Sequence, residues 1–306
     1  MIIILAASVI GLTLCSVVAG LRMRSYSRHR VDAIAYVEST GGQVEFEETF
    51  RLNWVPVAPA AWNQTVRSIS IDGHPKFDLR RILPLSEATT LTGLDTHFDP
   101  EGFGAIRQFT KMHALELFDC ELTDTEMAEL SGCRCLERLA VDAKSVTDAG
   151  LRSLVGLPIR SLSLGNTGIT DAGLAHLSSL RLEKLDIRGT AVTDAGLEHL
   201  AHLPLTELDL AKTRITDAGL RHLSSLPLRE LLLFDTRIGD AGIGELRPIQ
   251  TLEELFVIDT DITADGLLAL QGMMLSVYAS SPPLTPADVE RLRPKGVFLN
   301  LSPRSK

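Results

Sequence analysis

Aromatic side chains are nearly missing from this chain: Phe, Tyr and Trp together make up 5% of 306 residues. The core is therefore expected to be aliphatic. Cysteine is equally rare. Cys15, Cys120, Cys133 and Cys135 are too few for a disulfide-stapled secreted scaffold. Cys133-Arg134-Cys135 lacks the second pair or the nearby His-x3-His of a zinc site, which leaves buried or half-buried free thiols as the expectation. Basic residues are outnumbered, 30 Lys and Arg against 39 Asp and Glu, giving a formal net charge of −9. That balance argues against a general nucleic-acid binder, because phosphate contacts need clustered cations. No nucleophile, base and orienting acid recur in a catalytic spacing. Gly102-Phe103-Gly104 lacks the third glycine and flanking strand of a nucleotide fingerprint. The expectation is a noncatalytic chain without a cofactor.

One stretch lacks charge altogether. Met1 to Leu21 carries no ionisable side chain, and Arg22, Arg24, Arg28 and Arg30 follow it. At about 1.5 Å per residue, some twenty helical residues match a hydrocarbon layer roughly 30 Å thick. A secretory signal normally begins with a positive region, which is absent here. The arginines read as a stop-transfer flank that stays cytoplasmic, so residues 1–21 are expected to anchor the chain in the cytoplasmic membrane with the bulk facing inward. The alternative is export after cleavage near Val17-Val18-Ala19. Leu12 to Cys15 is a poor lipoprotein box because of the bulky Leu14.

What the chain has is a repeat. Thr-Asp-Ala-Gly-Leu occurs at Thr147 to Leu151, Thr170 to Leu174, Thr193 to Leu197 and Thr216 to Leu220, with variants at Gly239 to Ile243 and Thr263 to Leu267. From Asp148 to Asp240 each step is 23 residues. Weaker copies stand at Thr123-Asp124 and Asp99 to Phe103. A fixed period in the twenties implies a solenoid whose coils bury their apolar edges against each other. The first half of each unit alternates, as in Leu185-Asp186-Ile187, and predicts a short strand. The second half spaces its leucines by three and predicts a short helix, with Thr or Asp capping its first turn. Between the halves, Thr167, Thr190, Thr213, Thr236, Thr260 and Cys120 are expected to turn inward and satisfy backbone groups. Lys144 holds that place in one coil, which makes that coil doubtful.

Leu182 to Leu197 matches every fixed position of L-x-x-L-x-L-x-x-(T/C/N)-x-(I/V)-T-D-A-G-L. This pattern resembles the leucine-rich repeat, in a variety similar to the cysteine-containing repeats of F-box proteins. The head, from Arg30 to Glu38 and then Gly41-Gly42 and Gln43 to Phe46, resembles a membrane-anchored bacterial subgroup. The resemblance implies an α/β fold: a right-handed horseshoe solenoid with a parallel concave sheet, preceded by one transmembrane helix and used for protein recognition. It supplies no catalytic residues. The domains expected are an anchor at 1–21, a juxtamembrane helix and cap at 22–65, repeats at 66–301 and a tail at 302–306. Trp54, Trp62 and Val55 to Pro59 are expected to shield the first coil. Leu284 to Arg293 is expected to close the last one as a helix, with Pro286 near its first turn.

Periodic polar residues have plain readings. His176, His199 and His222 form a straight ladder that converges poorly on a tetrahedral metal. Asp148, Asp171, Asp194, Asp217 and Asp240 sit at helix starts, where carboxylates satisfy free amides. Gly150, Gly173, Gly196, Gly219 and Gly242 cost about 1 kcal/mol each against Ala in a helix, so their recurrence implies close approach between coils. No metal site is expected. Asn63-Gln64-Thr65 and Asn300-Leu301-Ser302 fit the glycosylation triplet, a pattern common by chance.

Alternation also assigns the outward strand positions. One column reads Glu116, Ala140, Ser163, Asp186, Asp209, Leu232, Phe256, Ser276. The next reads Phe118, Asp142, Gly165, Arg188, Ala211, Phe234, Ile258, Tyr278. Leu232, Phe234, Phe256, Ile258 and Tyr278 thus gather near the C-terminal end, with Glu207, Asp209, Glu230 and Glu254 among the acids around them. Such an apolar patch with a polar rim is the expected binding surface for a basic and apolar protein partner. The competing expectations are a closing segment folded over it, self-association, a substrate-recognition role like that of F-box ligase subunits, and an exported protein binding peptide or glycan.

Overall fold

The computed structural model describes residues 32–46, 66–73, 76–281 and 284–303. The membrane segment, the arginines after it, Trp54, Trp62, Val55 to Pro59 and Asn63 to Thr65 lie outside the described residues. Among the described residues no helix is long and apolar enough to cross a membrane.

A short helix, α1 (32–39), leads through a turn at Gly41, whose φ is +84°, into β1 (Gln43–Phe46), as the Gly-Gly pair predicts. β1 lies antiparallel on β2 (Val66–Asp72). Every later strand is parallel to its predecessor: β3 (Thr90–Leu94), β4 (Ala114–Phe118), β5 (Arg138–Val141), β6 (Ser161–Ser163), β7 (Lys184–Asp186), β8 (Glu207–Asp209), β9 (Glu230–Leu232), β10 (Glu254–Val257), β11 (Leu275–Ser281) and β12 (Val297–Pro303). The 12 strands form one sheet in sequence order, which is the signature of a solenoid. β12 carries the sheet to Pro303, two residues past the boundary expected at 301.

The helices on the opposite side are α2 (Pro100–Phe103), α3 (Asp124–Glu129), α4 (Asp148–Leu151), α5 (Asp171–Leu177), α6 (Asp194–Leu197), α7 (Asp217–Leu220), α8 (Asp240–Ile243), α9 (Ala264–Leu267) and α10 (Pro286–Leu292). Most are a single α turn that tightens into a 3-10 turn, such as Glu198–Leu200 after α6. One coil has room for little more. α10 has Pro286 at its first position, as expected.

The Thr-Asp-Ala-Gly-Leu motif is an interlock between coils. The Thr is the N-cap: Thr147, Thr170, Thr193 and Thr263 accept through their hydroxyls from the amide two residues on. The aspartate does not cap its own helix, as the sequence reading had it. Asp148 accepts from the amide and hydroxyl of Thr170 at 2.8 and 2.7 Å. Asp171 does the same for Thr193, Asp194 for Thr216, and Asp240 for Thr263, while Asp217 accepts from the Gly239 amide. The glycine makes room for that carboxylate. A Cβ at Gly196 would stand 2.5 Å from Asp171 Oδ1, and at Gly150 it would stand 2.6 Å from Asp124 Oδ1. The expected close approach is present, and it is an approach to an aspartate.

The inward polar residues do what was expected of them. Buried Thr167, Thr190, Thr213, Thr236 and Thr260 each donate to the carbonyl three residues back, at 2.6–2.7 Å. Cys120 points its thiol at Phe118 O, and Thr96 is an earlier copy, donating to Ile71 O at 2.9 Å. The residue before each one turns left-handed: Asp95, Asp119, Asn166, Lys212, Asp235 and Asp259 have φ of 49–58°, and Gly189 has 67°. Asp and Asn tolerate this region better than other side chains with a Cβ. The doubtful coil has Ala143 there instead. It avoids the left-handed turn, buries Ala143 and leaves Lys144 exposed, so the stack continues unbroken.

Leucine, isoleucine and valine fill the shared interior from β3 onward. The first coils differ from the aliphatic expectation. Phe77, Phe98, Phe103 and Phe109 are buried there, with Phe98 edge-on to both Phe77 and Phe103. Arg81 lies over the Tyr36 ring at 3.7 Å, and Tyr36 in turn packs on Phe77. Large rings and α1 close the end that has no preceding coil.

Candidate interaction surface

Alternation puts one side of every strand on the interior and the other on the open face of the sheet. The register confirms the first outward column from Glu116 to Phe256 but corrects its end: Phe256 pairs with Tyr278, and Ser276 pairs with Glu254. Tyr278 therefore continues the Leu232–Phe256 column, and Asn300 follows it on β12. The column read from the sequence slipped because the steps there are no longer 23 residues. They are 24 from Leu232 to Phe256 and 22 from Phe256 to Tyr278.

Tyr278 is thereby brought into direct contact with Phe256. Their rings stack at 4.3 Å and 7°, and Phe234 closes the other side of Phe256 at 5.6 Å, tilted by 55°. Leu232, Phe234, Phe256, Ile258 and Tyr278 are all half-buried, so each offers apolar surface to solvent. The closing segment does not cover them, since β12 runs beside β11 as one more strand. Sequence reading missed two members of this end. Phe298, 40% exposed, pairs with Ser276, and Met274, 72% exposed, precedes β11. The detectable signal for Phe298 was the alternation Phe298-Leu299-Asn300-Leu301, which reads as one further strand.

The acids form a row at the N-terminal ends of the same strands. Glu207, Glu230 and Glu254 are paired strand to strand. Lys184 neutralises Glu207, but among the described residues no cation pairs with Glu230 or Glu254. Burial, followed by the charges of Glu207 and Glu254, pushes the Glu230 carboxyl above its ordinary range. Asp209, beside Leu232, is also raised, chiefly by burial; its Oδ1 accepts from the Ala211 amide at 2.9 Å. Adjacent like charges cost stability, so this row holds electrostatic energy that a cation would release.

The N-terminal half of the face is different. Ser163 donates to Asp186, Arg188 lies 3.6 Å from Asp186 and 3.9 Å from Asp209, and Arg160 pairs with Glu183. An open groove of ≈ 540 Å³ runs past His113, Arg138, Arg160 and Lys184, but its charges are mutually compensated. Elsewhere, His176 accepts from Arg152 and His222 from Arg221, and no metal-holding group of side chains occurs among the described residues. Cys120 and Cys133 are buried, with thiols pushed up to about 11 by burial, whereas Cys135 is exposed, contrary to expectation.

A leucine-rich-repeat family profile matches residues 181–201 and 203–224. Among solved structures, the fold is similar to that of an internalin, InlF, from Listeria monocytogenes, at 23% identity and a TM-score of 0.51, over 67% of this chain and 58% of the internalin. The internalin C2 of the same organism aligns at 21% identity over 78% of this chain and 81% of its own, with a TM-score of 0.44. This chain thus spans under two thirds of InlF. No curated protein matches it in sequence. The likeness to InlF concerns the fold, a leucine-rich-repeat solenoid with a parallel sheet.

Proposed function

We propose that this leucine-rich-repeat chain is a noncatalytic recognition module that binds a protein segment on the C-terminal part of its open, concave face. The observation that carries the reading is the half-exposed stack Phe234–Phe256–Tyr278 beside two carboxylates without a cation, Glu230 and Glu254. The fitting partner presents an apolar anchor flanked by Lys or Arg, and the acidic row speeds its approach. The stack also favours protein over glycan. Both faces of Phe256 are covered by neighbouring rings, so its edge is what solvent sees, and a sugar ring has no free face to stack on there.

The rest of the reading concerns place. Residues 1–21 anchor the chain in the cytoplasmic membrane, with the repeats inside. Reporter fusions at the C-terminus, one active only in the cytoplasm and one only outside, separate this from export. A substrate-recognition role resembling F-box subunits is the second reading, drawn from the repeat type alone.

Crosslinking and affinity capture from native membranes identify the partner. Replacing Phe234 and Phe256 together by Ser is expected to weaken its binding by more than about 30-fold, as loss of central aromatic anchors does. Unchanged capture by the folded double variant discards the patch as the site.

A further inference from the structure

The two ends of the sheet are finished differently. At the N-terminal edge, β1 is only four residues long, antiparallel and irregular between Glu45 and Phe46. Short, bulged edges of this kind resist pairing with other chains. At the other edge, β12 has seven residues, and among the described residues nothing pairs with its outer side. No charged side chain interrupts it from Gly296 to Ser302. Leu275 donates to Gly296 O, so in the alternating parallel ladder the backbone groups of Val297, Leu299 and Leu301 point outward. A regular uncharged edge is a template for another strand.

We infer that the occupant is β12 of a second copy, paired antiparallel about a two-fold axis through Asn300. Only that axis keeps all seven residues paired. It sets Leu299 against the second copy's Leu301 as a hydrogen-bonded pair of outward-facing residues. It also sets Asn300 against its own copy on the open face, where it is exposed. Charge decides between the available surfaces. The acidic row of the open face repels its like, whereas the edge carries nothing that does. Pairing there joins two sheets of 12 strands into one and leaves both aromatic stacks on the same continuous surface.

The test uses the full chain in native membranes, with Cys135→Ser as background to remove the exposed thiol. Asn300→Cys places two thiols at a non-hydrogen-bonded antiparallel pair, where Cα atoms lie about 4.5 Å apart, within disulfide reach. Mild oxidation is expected to give a dimer on a non-reducing gel, with the bond mapped to residue 300 by mass spectrometry. Ser276→Cys, one strand inward on the same face, is expected to stay monomeric. In a second measurement, differently tagged Asn300→Lys and Asn300→Asp chains are expected to co-purify when mixed, while each alone does not self-associate. A monomeric N300C chain, or equal crosslinking by S276C, overturns the inference; neither result bears on partner binding by the aromatic stack.

Discussion

The middle coils and the terminal coils solve the same problem in different ways. From α3 to α9, each helix start is held by a carboxylate of the coil before it, beginning with Asp124 on Thr147 and ending with Asp240 on Thr263. The series stops where the first helical residue is no longer an aspartate. α2 begins with Pro100, so Thr123 has no acceptor behind it and is capped by its own Glu126. α9 begins with Ala264, so Thr285 is capped by its own Asp288 at 2.9 Å. Capping that is shared in the middle becomes local at the ends. Each coil in the middle therefore depends on its neighbour for hydrogen bonds as well as for apolar burial, and the ends are closed by other means, phenylalanines at one and α10 with β12 at the other.

This contrast can be broken at single atoms. The largest effect is expected from Gly196→Ala, whose methyl group enters the space of Asp171 Oδ1 and of Leu174. Overpacking of this sort costs about 1–3 kcal/mol, and displacing the carboxylate adds the Thr193 hydrogen bonds to the loss. Gly244→Ala is its control. No atom lies within 4 Å of the added Cβ and its φ is −58°, so the substitution is expected to stabilise by about 0.4–1 kcal/mol. Urea denaturation of both reads the difference, and equal effects refute the interlock.

A smaller effect follows from Thr213→Val, which keeps the shape but removes the hydroxyl from Leu210 O. The expected loss is about 1–3 kcal/mol because the partner group stays buried. Equilibrium unfolding that leaves the variant as stable as the parent refutes the inward role.

The smallest effect has the opposite sign. Glu230→Gln removes one of three adjacent carboxylates, and relief of like-charge repulsion on a sheet is worth about 0.2–1 kcal/mol. The free protein is expected to gain stability while the basic partner binds less tightly. The pH dependence follows from the raised Glu230 carboxyl. The folded state holds that proton more firmly than the unfolded one, so the destabilisation by Glu230 exists at neutral pH and disappears as the pH falls below its unfolded value. The gap between parent and E230Q should close across the same window in melts at successive pH values. A constant gap assigns the effect to something other than charge.

Much of this architecture could be read from the chain. The 23-residue period, the alternation within each strand, the inward threonines and the crowded glycines are local regularities. They translate directly into coils because each coil meets only its neighbours. The candidate surface was partly legible for the same reason. Phe234 and Phe256 were placed correctly, whereas Tyr278 was assigned to the wrong column and Phe298 was missed, because the steps lengthen and shorten by one residue near the end. A shift in spacing changes which side chains stand side by side without changing the pattern within any one strand. The Ala143 coil shows the reverse. Its pattern looks broken at Lys144, yet the register across β5 and β6 continues.

Residue order by itself determined that this chain repeats, where each strand and helix turn starts, and which side chains face inward, since all of these follow from periodicity and from capping chemistry within a few residues. Only the stacked structure decided that an aspartate serves the next coil instead of its own, that two aromatic rings lie face to face, and that two glutamates are left without a cation. Those are relations between residues about 22 to 24 positions apart. Their distances depend on how neighbouring coils sit on one another, which local sequence does not specify.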